Sequence, residues 1–503
     1  MNIAKHLERS AFFFPDRPAV VEESREVSYR ELNHRTDRIA LALLDQGVQP
    51  GDFIGLCAPN SADWLAVYFG VLKAGAVAVT LSSLLKEEEL SLLVRHARPR
   101  FIYSTPEKLE ALQELKAVGA LQGIICPGGD WDAQDWLTRT DGAFRARERN
   151  RSDSAAILFT GGTTGLPKGV ELSHENITVS SHNVAFSERS TETDRALCFL
   201  PFNHVFGQIH IMNATMFSGG CLELLKAFDL DRVLQMLATG RITKFFAVPT
   251  VYLRLLTLDR LSERLAGVRY FFSAAASLAA EVVREWKERT GKPIYEGYGL
   301  TESASAVTYN HYLRHRIGSV GETVPGVEVE IRDLKGRPVE SGRQGEICIR
   351  GRNIMTGYLN NPEATAAVFW EDGWFRSGDL GFLDPDGSLY IVDRLKDLII
   401  TGGENVYPRE VEEVLYSRAE IQECAVIGLP DLEWGERVAA FIVLYPGLSQ
   451  VPPDLKSFLK QRLSSFKVPK EFIVVRELPK SSAGKILKRE LKNIDPEAGR
   501  QWP

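Results

Sequence analysis

The chain has 503 residues, more than one hydrophobic core usually organises, so two or more domains are expected. Hydrophobic residues make up 44% and charged residues 25%, a globular balance, and no stretch reaches the roughly 18 apolar residues a membrane-spanning helix needs. A net charge of −6 excludes a nucleic-acid binder working through bulk positive charge, while six cysteines without a CxxC pair leave no zinc or disulfide framework and point to reduced thiols in a cytoplasmic compartment.

"MNIAKHLERSAFFFPDRPAV" opens the chain with an apolar run of four residues before Pro15, too short for a signal-peptide core. Residues 30 to 47 read as an amphipathic helix stopping at Gly47. "GDFIGLCAP" follows as a strand, "SADWLAVYFGVLKAG" as a helix ending at Gly75, and "AVAVTL" as another strand. The alternation returns between 200 and 295, where the short strands "KFFAVP" and "VRYFFSAA" flank the helical "TVYLRLL". Strands alternating with helices imply parallel sheet and an α/β fold. From about 318 to 394 the glycine-punctuated "GEICIRG" and "GWFRSGDLGFLDPDGSLYIVDR" predict a β-rich, barrel-like part. After Arg394 the pattern becomes α+β: "PREVEEVLYS" and "PDLKSFLKQRLSSF" read as helices, "ECAVIGLP" and "RVAAFIVLYP" as strands. The expected division is a large domain over 1–394 and a small one over 395–503, joined without a Gly/Ser linker.

Between an apolar strand and a helix-like stretch stands "LFTGGTTGLPKGVELSH", residues 158 to 174. Its glycines let successive N–H groups form a nest for phosphate oxygens, its threonines add hydroxyl donors, and Lys168 adds a compact charge. It is not a Walker motif, because Pro167 precedes the lysine and Gly169 stands where the magnesium-binding Ser/Thr belongs. Four further blocks follow in order: "YEGYGLTES" (295 to 303), "WFRSGDLG" carrying Asp379, "VDRLKDLIITGGENVYPREVEEVL", and "LPKSSAGKILKREL" with Lys485 after a glycine. Taken singly, each has a bland reading as a turn, a core aromatic or a charged tail, the last because Lys488, Arg489 and Lys492 follow Lys485.

As an ordered set, the blocks resemble those of the acyl-adenylate-forming superfamily of acyl-CoA synthetases, peptide-synthetase adenylation domains and beetle luciferases. The likeness spans nearly the whole chain and looks most like an acyl-CoA synthetase. It implies a two-step ligase: a carboxylate attacks the α-phosphate of ATP to give acyl-AMP and pyrophosphate, then the thiol of CoA attacks the acyl carbon. It further implies that Thr160, Gly161, Gly162, Thr163, Thr164, Gly165 and Lys168 hold the phosphates. Ala275, Ala276, Glu296, Gly297, Tyr298 and Gly299 would surround the adenine, with Tyr298 stacked on it. Thr301 would reach the α-phosphate, Glu302 would hold Mg²⁺, and Asp379 and Arg394 would hold the ribose. Lys396 would be the hinge of a mobile C-terminal domain, Gly402 and Gly403 would approach pantetheine, and Lys485 would bridge carboxylate and α-phosphate.

The stretch "FLPFNHVFGQIHIMNATMFSGG" (199 to 220) would wall the acid pocket, with His204 beside the carboxylate and Phe206, Met212 and Val248 around an apolar fatty or aryl acid. His311 and His315 in "HYLRH" lack the glutamate of an HExxH metal motif and read as surface. An acyl carrier protein is the alternative acceptor, a luciferase-like monooxygenase a less favoured activity. The expected protein is a monomer or homodimer.

Overall fold

The computed structural model describes residues 1–138, 142–160, 167–448, 450–481 and 484–493. Strands buried on both faces, such as Val77–Thr80, Lys244–Ala247 and Tyr270–Ser273, sit inside two large sheets, as their unbroken apolar runs require. One has seven strands in the order Gly357–Tyr358, Lys168–Ser173, Ser154–Thr160, Val77–Thr80, Phe53–Cys57, Phe101–Ser104, Gly123–Ile125. The other has nine, running from Glu322–Thr323 through Thr308–Tyr309, Ile294–Tyr298, Tyr270–Ser273, Lys244–Ala247, Arg195–Cys198, Cys221–Leu224 and Pro18–Glu22 to Arg25–Ser28.

Helix Ala62–Lys73 joins the two sheets and is buried along its whole length. The Ser61 hydroxyl caps it by accepting from the Trp64 N–H, and Lys73 at its far end is buried in an ion pair with Asp37. The first predicted helix spans Tyr29–Asp45, capped by Ser28, and the turn after it carries Gly47 at φ +77°.

A four-stranded antiparallel sheet, Val327–Arg332, Gly345–Gly351, Phe375–Leu383 and Leu389–Arg394, is the expected β-rich part. Gly357–Tyr358 falls inside the same stretch of sequence yet pairs with Lys168–Ser173 in the seven-stranded sheet. After Arg394 comes a single 3₁₀ turn, Leu395–Asp397, and then Ile399–Thr401 opens a separate five-stranded sheet. Helix Pro408–Tyr416 packs on its long strand Ile421–Asp431, with Val411, Leu415, Val426, Ile442 and Leu459 in a core of their own. The last predicted helix is shorter than its pattern: it ends at Lys460, and Leu463 is buried from the turn that follows.

Candidate active site

Thr160 closes a strand and Lys168 opens its antiparallel neighbour; the Thr160 hydroxyl donates to the Lys168 carbonyl at 3.4 Å. The loop residues Gly161, Gly162, Thr163, Thr164 and Gly165 lie outside the described residues. The Lys168 ammonium stands 4.6 Å from the centroid of the Tyr358 ring, and the Tyr358 hydroxyl donates to Glu302 Oε1 at 2.8 Å. Burial and the Glu302 carboxylate both push the Tyr358 phenol up, so it stays a donor. Lys168, Tyr358 and Glu302 thus come together from three distant segments. The two-residue pairing of Gly357–Tyr358 places the tyrosine, and a short 3₁₀ turn, Thr301–Ser303, presents Thr301 and Glu302.

That turn depends on Gly299. A Cβ built there would lie 1.3 Å from the Ser305 carbonyl oxygen, a backbone atom that cannot rotate away. Gly299→Ala is therefore expected to destabilise the protein by about 3 kcal/mol or more and to abolish ATP binding. Thermal unfolding and nucleotide titration check this; wild-type values in both would show that the backbone here relaxes freely.

In the four-stranded sheet, Asp379 faces Arg394 in the register of neighbouring strands. The Tyr298 hydroxyl donates to Asp379 Oδ2 at 2.7 Å, and the Arg394 guanidinium lies 3.2 Å from Oδ1. Burial would lower the Arg394 pKa, but Asp379 and Asp397 raise it on balance, so it is a fixed cation.

Lys485 lies in a loop tied by its own N–H to the Ser481 hydroxyl at 3.2 Å and by the Ser481 N–H to its carbonyl at 2.8 Å. Gly484 docks this loop on the larger part of the chain: a Cβ there would come within 2.9 Å of Val248. Burial, then the Arg394 and Lys396 charges, lower the Lys485 ammonium to about 7 despite Asp379 and Asp397. Lys488 is different. It is no tail lysine but is partly buried, with Nζ 2.8 Å from Glu412; desolvation lowers its pKa, and Glu412 and Asp393 more than reverse that.

His204 is pulled down to about 4 by burial and by Lys485, so it is neutral at physiological pH. Its Nδ1 accepts from the Phe206 N–H at 3.2 Å, which leaves Nε2 as the protonated nitrogen. It lines a cavity of about 40 Å³ with Phe206, Phe272, Ala275, Tyr298 and Ser305. Gly297 and Gly299 share the lining, so the expected adenine wall and acid wall meet at one cavity.

Other expected residues lie elsewhere. Met212 is fully buried in the core and does not line the cavity. Val248 lines a second cavity of about 290 Å³ with Thr250, Arg254 and Gly484. Ala276 is exposed. The Glu296 carboxyl is buried toward Arg409 and Glu413, with one oxygen unpartnered, and is raised to about 8 by burial against the pull of Arg409. Gly402 and Gly403 form an exposed hairpin turn at φ +59° and +84°. Residues 311 to 314 form a turn rather than a helix, and His315 Nε2 pairs with the Ile294 carbonyl at 3.0 Å.

A family model described as AMP-binding enzyme matches residues 7–359, and one described as AMP-binding enzyme C-terminal domain matches residues 410–485. The chain belongs to the AMP-binding enzyme family. It is similar to a feruloyl-CoA synthase of Amycolatopsis sp, 36% identical over 96% of this chain and 97% of that one. It is also similar to a long-chain-fatty-acid–CoA ligase of Bacillus subtilis (strain 168), 33% identical over 96% and 93%. Its fold matches the crystal structure of ATP-bound MatB from Rhodopseudomonas palustris with a TM-score of 0.92 at 34% identity, covering 98% of this chain and 99% of that one.

This AMP-binding enzyme is an AMP-forming acid–thiol ligase whose substrates are a small-molecule carboxylic acid, ATP and CoA. No helix among the described residues is long and apolar enough to cross a membrane. Reasoning from sequence missed Tyr358, Ser305 and His210. No local pattern marks any of the three.

Proposed function

We propose that residues 1–394 form the nucleotide- and acid-binding domain, that 395–503 form a small domain carrying Lys485, and that Lys396 lies at the hinge between them. The observation that carries this reading is the position of Lys485. Gly484 beside it abuts Val248, its charge is felt by His204 on the acid side, and Arg394 and Asp379 on the ribose side shift its proton affinity in turn.

In the first step the substrate carboxylate attacks the α-phosphorus and pyrophosphate leaves. The Lys485 ammonium neutralises the two approaching anions, neutral His204 donates Nε2–H toward the carboxylate, and Thr301 donates to the α-phosphate. Asp379 takes the ribose hydroxyls beside Arg394, and the Thr160 to Lys168 loop takes the β- and γ-phosphates. Tyr298 lies against the adenine, between Gly297 and Gly299.

No group of three or more His, Cys, Asp or Glu among the described residues is placed to hold a metal ion. A lone Glu302 beside the Thr301 hydroxyl suits Mg²⁺, which takes one or two carboxylates and completes its coordination with phosphate oxygens and water. When bound there, Mg²⁺ would supply charge neutralisation on the phosphates. In the second step the thiol attacks the acyl carbon and AMP leaves, with the Gly402–Gly403 turn brought up to the pantetheine.

The test is a panel of aryl and alkyl acids with ATP, assayed for AMP, pyrophosphate and thioester with free CoA or with a pantetheinylated carrier protein. AMP and thioester are expected with free CoA. Thioester on the carrier alone would replace CoA as acceptor, and ADP as the sole nucleotide product would overturn the reading.

A further inference from the structure

The floor of the small cavity is polar. His210 lines it and places Nε2 3.0 Å from Glu188 Oε1 and Nδ1 3.2 Å from the Ser305 hydroxyl. The Tyr309 hydroxyl donates to the same Glu188 oxygen at 2.7 Å, and Lys244 donates to the other at 2.8 Å. Lys244 and Arg269 in turn lie 3.6 and 2.6 Å from Asp194. All but Arg269 are buried. Burial alone would raise the Glu188 carboxyl, but Lys244 and His210 bring it down to about 2. Whichever His210 nitrogen carries the proton, the Ser305 hydroxyl makes one bond to Nδ1 and keeps hydrogen-bonding capacity for a hydroxyl of an incoming ligand.

Phe206, Phe272 and Tyr309 line the cavity's sides, with Phe246 behind. Phe206, Phe246 and Phe272 pack on the His210 ring at centroid distances of 5.0, 5.6 and 4.6 Å, and Tyr309 lies 4.7 Å from Phe272. The cavity is about 40 Å³. Cavities that admit benzene are nearer ~150 Å³, so one ring requires a phenylalanine side chain to move. An extended alkyl chain directed onto this floor would have to break through the network and strand buried polar groups without partners.

We propose that this enzyme selects a compact carboxylic acid, a short chain or a single ring, that carries a hydroxyl at its far end, and that Ser305 and His210 are the residues that read it. This rests on the adenylation reading and narrows it. A hydroxyl satisfies the remaining hydrogen-bonding capacity of Ser305; a methyl or a long tail in the same place leaves it unmet.

The test measures kcat/KM for pyrophosphate release with matched pairs: propionate and 3-hydroxypropionate, benzoate and its 3- and 4-hydroxy derivatives, with octanoate and palmitate as long acids. At least one hydroxylated compact acid is expected to exceed its partner by about 10-fold, the worth of one well-made hydrogen bond. Octanoate and palmitate are expected to fall about 100-fold or more below it. Ser305→Ala should collapse the ratio within the favoured pair, and should that variant not fold, the wild-type panel decides alone. Octanoate or palmitate as the best substrate, or a hydroxyl preference untouched in a folded Ser305→Ala, would overturn the inference and leave adenylation standing. No AMP with any acid would instead overturn the adenylation reading, and this inference with it.

Discussion

Lys485→Ala is expected to slow acyl-AMP formation by about 10²-fold or more, the typical cost of losing a preorganised electrostatic group. The same variant, given presynthesised acyl-AMP and CoA, is expected to make thioester at close to the wild-type rate, because the second step has no pair of anions to bring together. Lys488→Ala is an unsuitable control, since Lys488 is a partly buried ion-pair partner of Glu412 and its loss breaks that pair. Lys492, exposed on the turn beyond, is the matched surface lysine.

A pH dependence follows from the same environment. Before substrates bind, Lys485 titrates at about 7, held down first by burial and then by Arg394 and Lys396. Only the ammonium can bridge two anions, so kcat/KM for ATP is expected to fall as pH rises above about 7. Bound carboxylate and phosphate favour the charged form, so the kcat profile should break at higher pH. Lys485→Arg should remove the alkaline limb. Equal losses in both half-reactions, or an unchanged pH profile in Lys485→Arg, would show that Lys485 does not act on the adenylation step.

Lys396→Pro is expected to separate the half-reactions in the opposite sense. Lys396 sits within Leu395–Asp397, the one turn between the strand ending at Arg394 and the next sheet. A 3₁₀ turn has φ of about −50 to −70°, and proline fixes φ near −65°, so a 3₁₀ position is compatible with the ring. What proline forbids is a large change of φ at this residue, which a rotation of the small domain would need. Acyl-AMP formation should therefore survive within a few-fold, while thioester formation from acyl-AMP and CoA falls by about 10²-fold, the loss attached to a catalytic group that is never delivered. Equal losses in both steps would make Lys396 a structural residue and leave the hinge unsupported.

The parts of the fold legible from sequence were those written in local patterns. "AVAVTL", "KFFAVP" and "VRYFFSAA" announce buried strands because both faces are apolar, and the break at Arg394 is visible because the period of the pattern changes. Gly357–Tyr358 was not legible: two residues carry no period, and their partner strand lies far back in the chain. Nor was the π-helical run Phe206–Asn213, whose widened turn leaves the ordinary helical spacing and brings His210 to the cavity floor.

The site divides in the same way. Asp379 and Arg394, which face each other on neighbouring strands, stand in recognisable sequence blocks. The Glu188–Lys244–His210–Tyr309 network cannot, because each member comes from a different element and reads alone as an ordinary surface charge or core ring. Lys488 misleads for the same reason: "KILKREL" reads as a charged tail until the fold brings Glu412 beside it.

The most direct measurement follows an oxygen atom. The carboxylic acid is labelled with oxygen-18 in its carboxyl group and turned over with ATP and CoA, and the nucleotide product is analysed by mass. If the carboxylate attacks the α-phosphorus and the thiol then cleaves the acyl carbon–oxygen bond, each AMP formed must carry one labelled oxygen on its phosphate. Unlabelled AMP, or label appearing in inorganic phosphate beside ADP, would contradict an acyl-adenylate and with it the roles given to Lys485, Glu302 and Asp379.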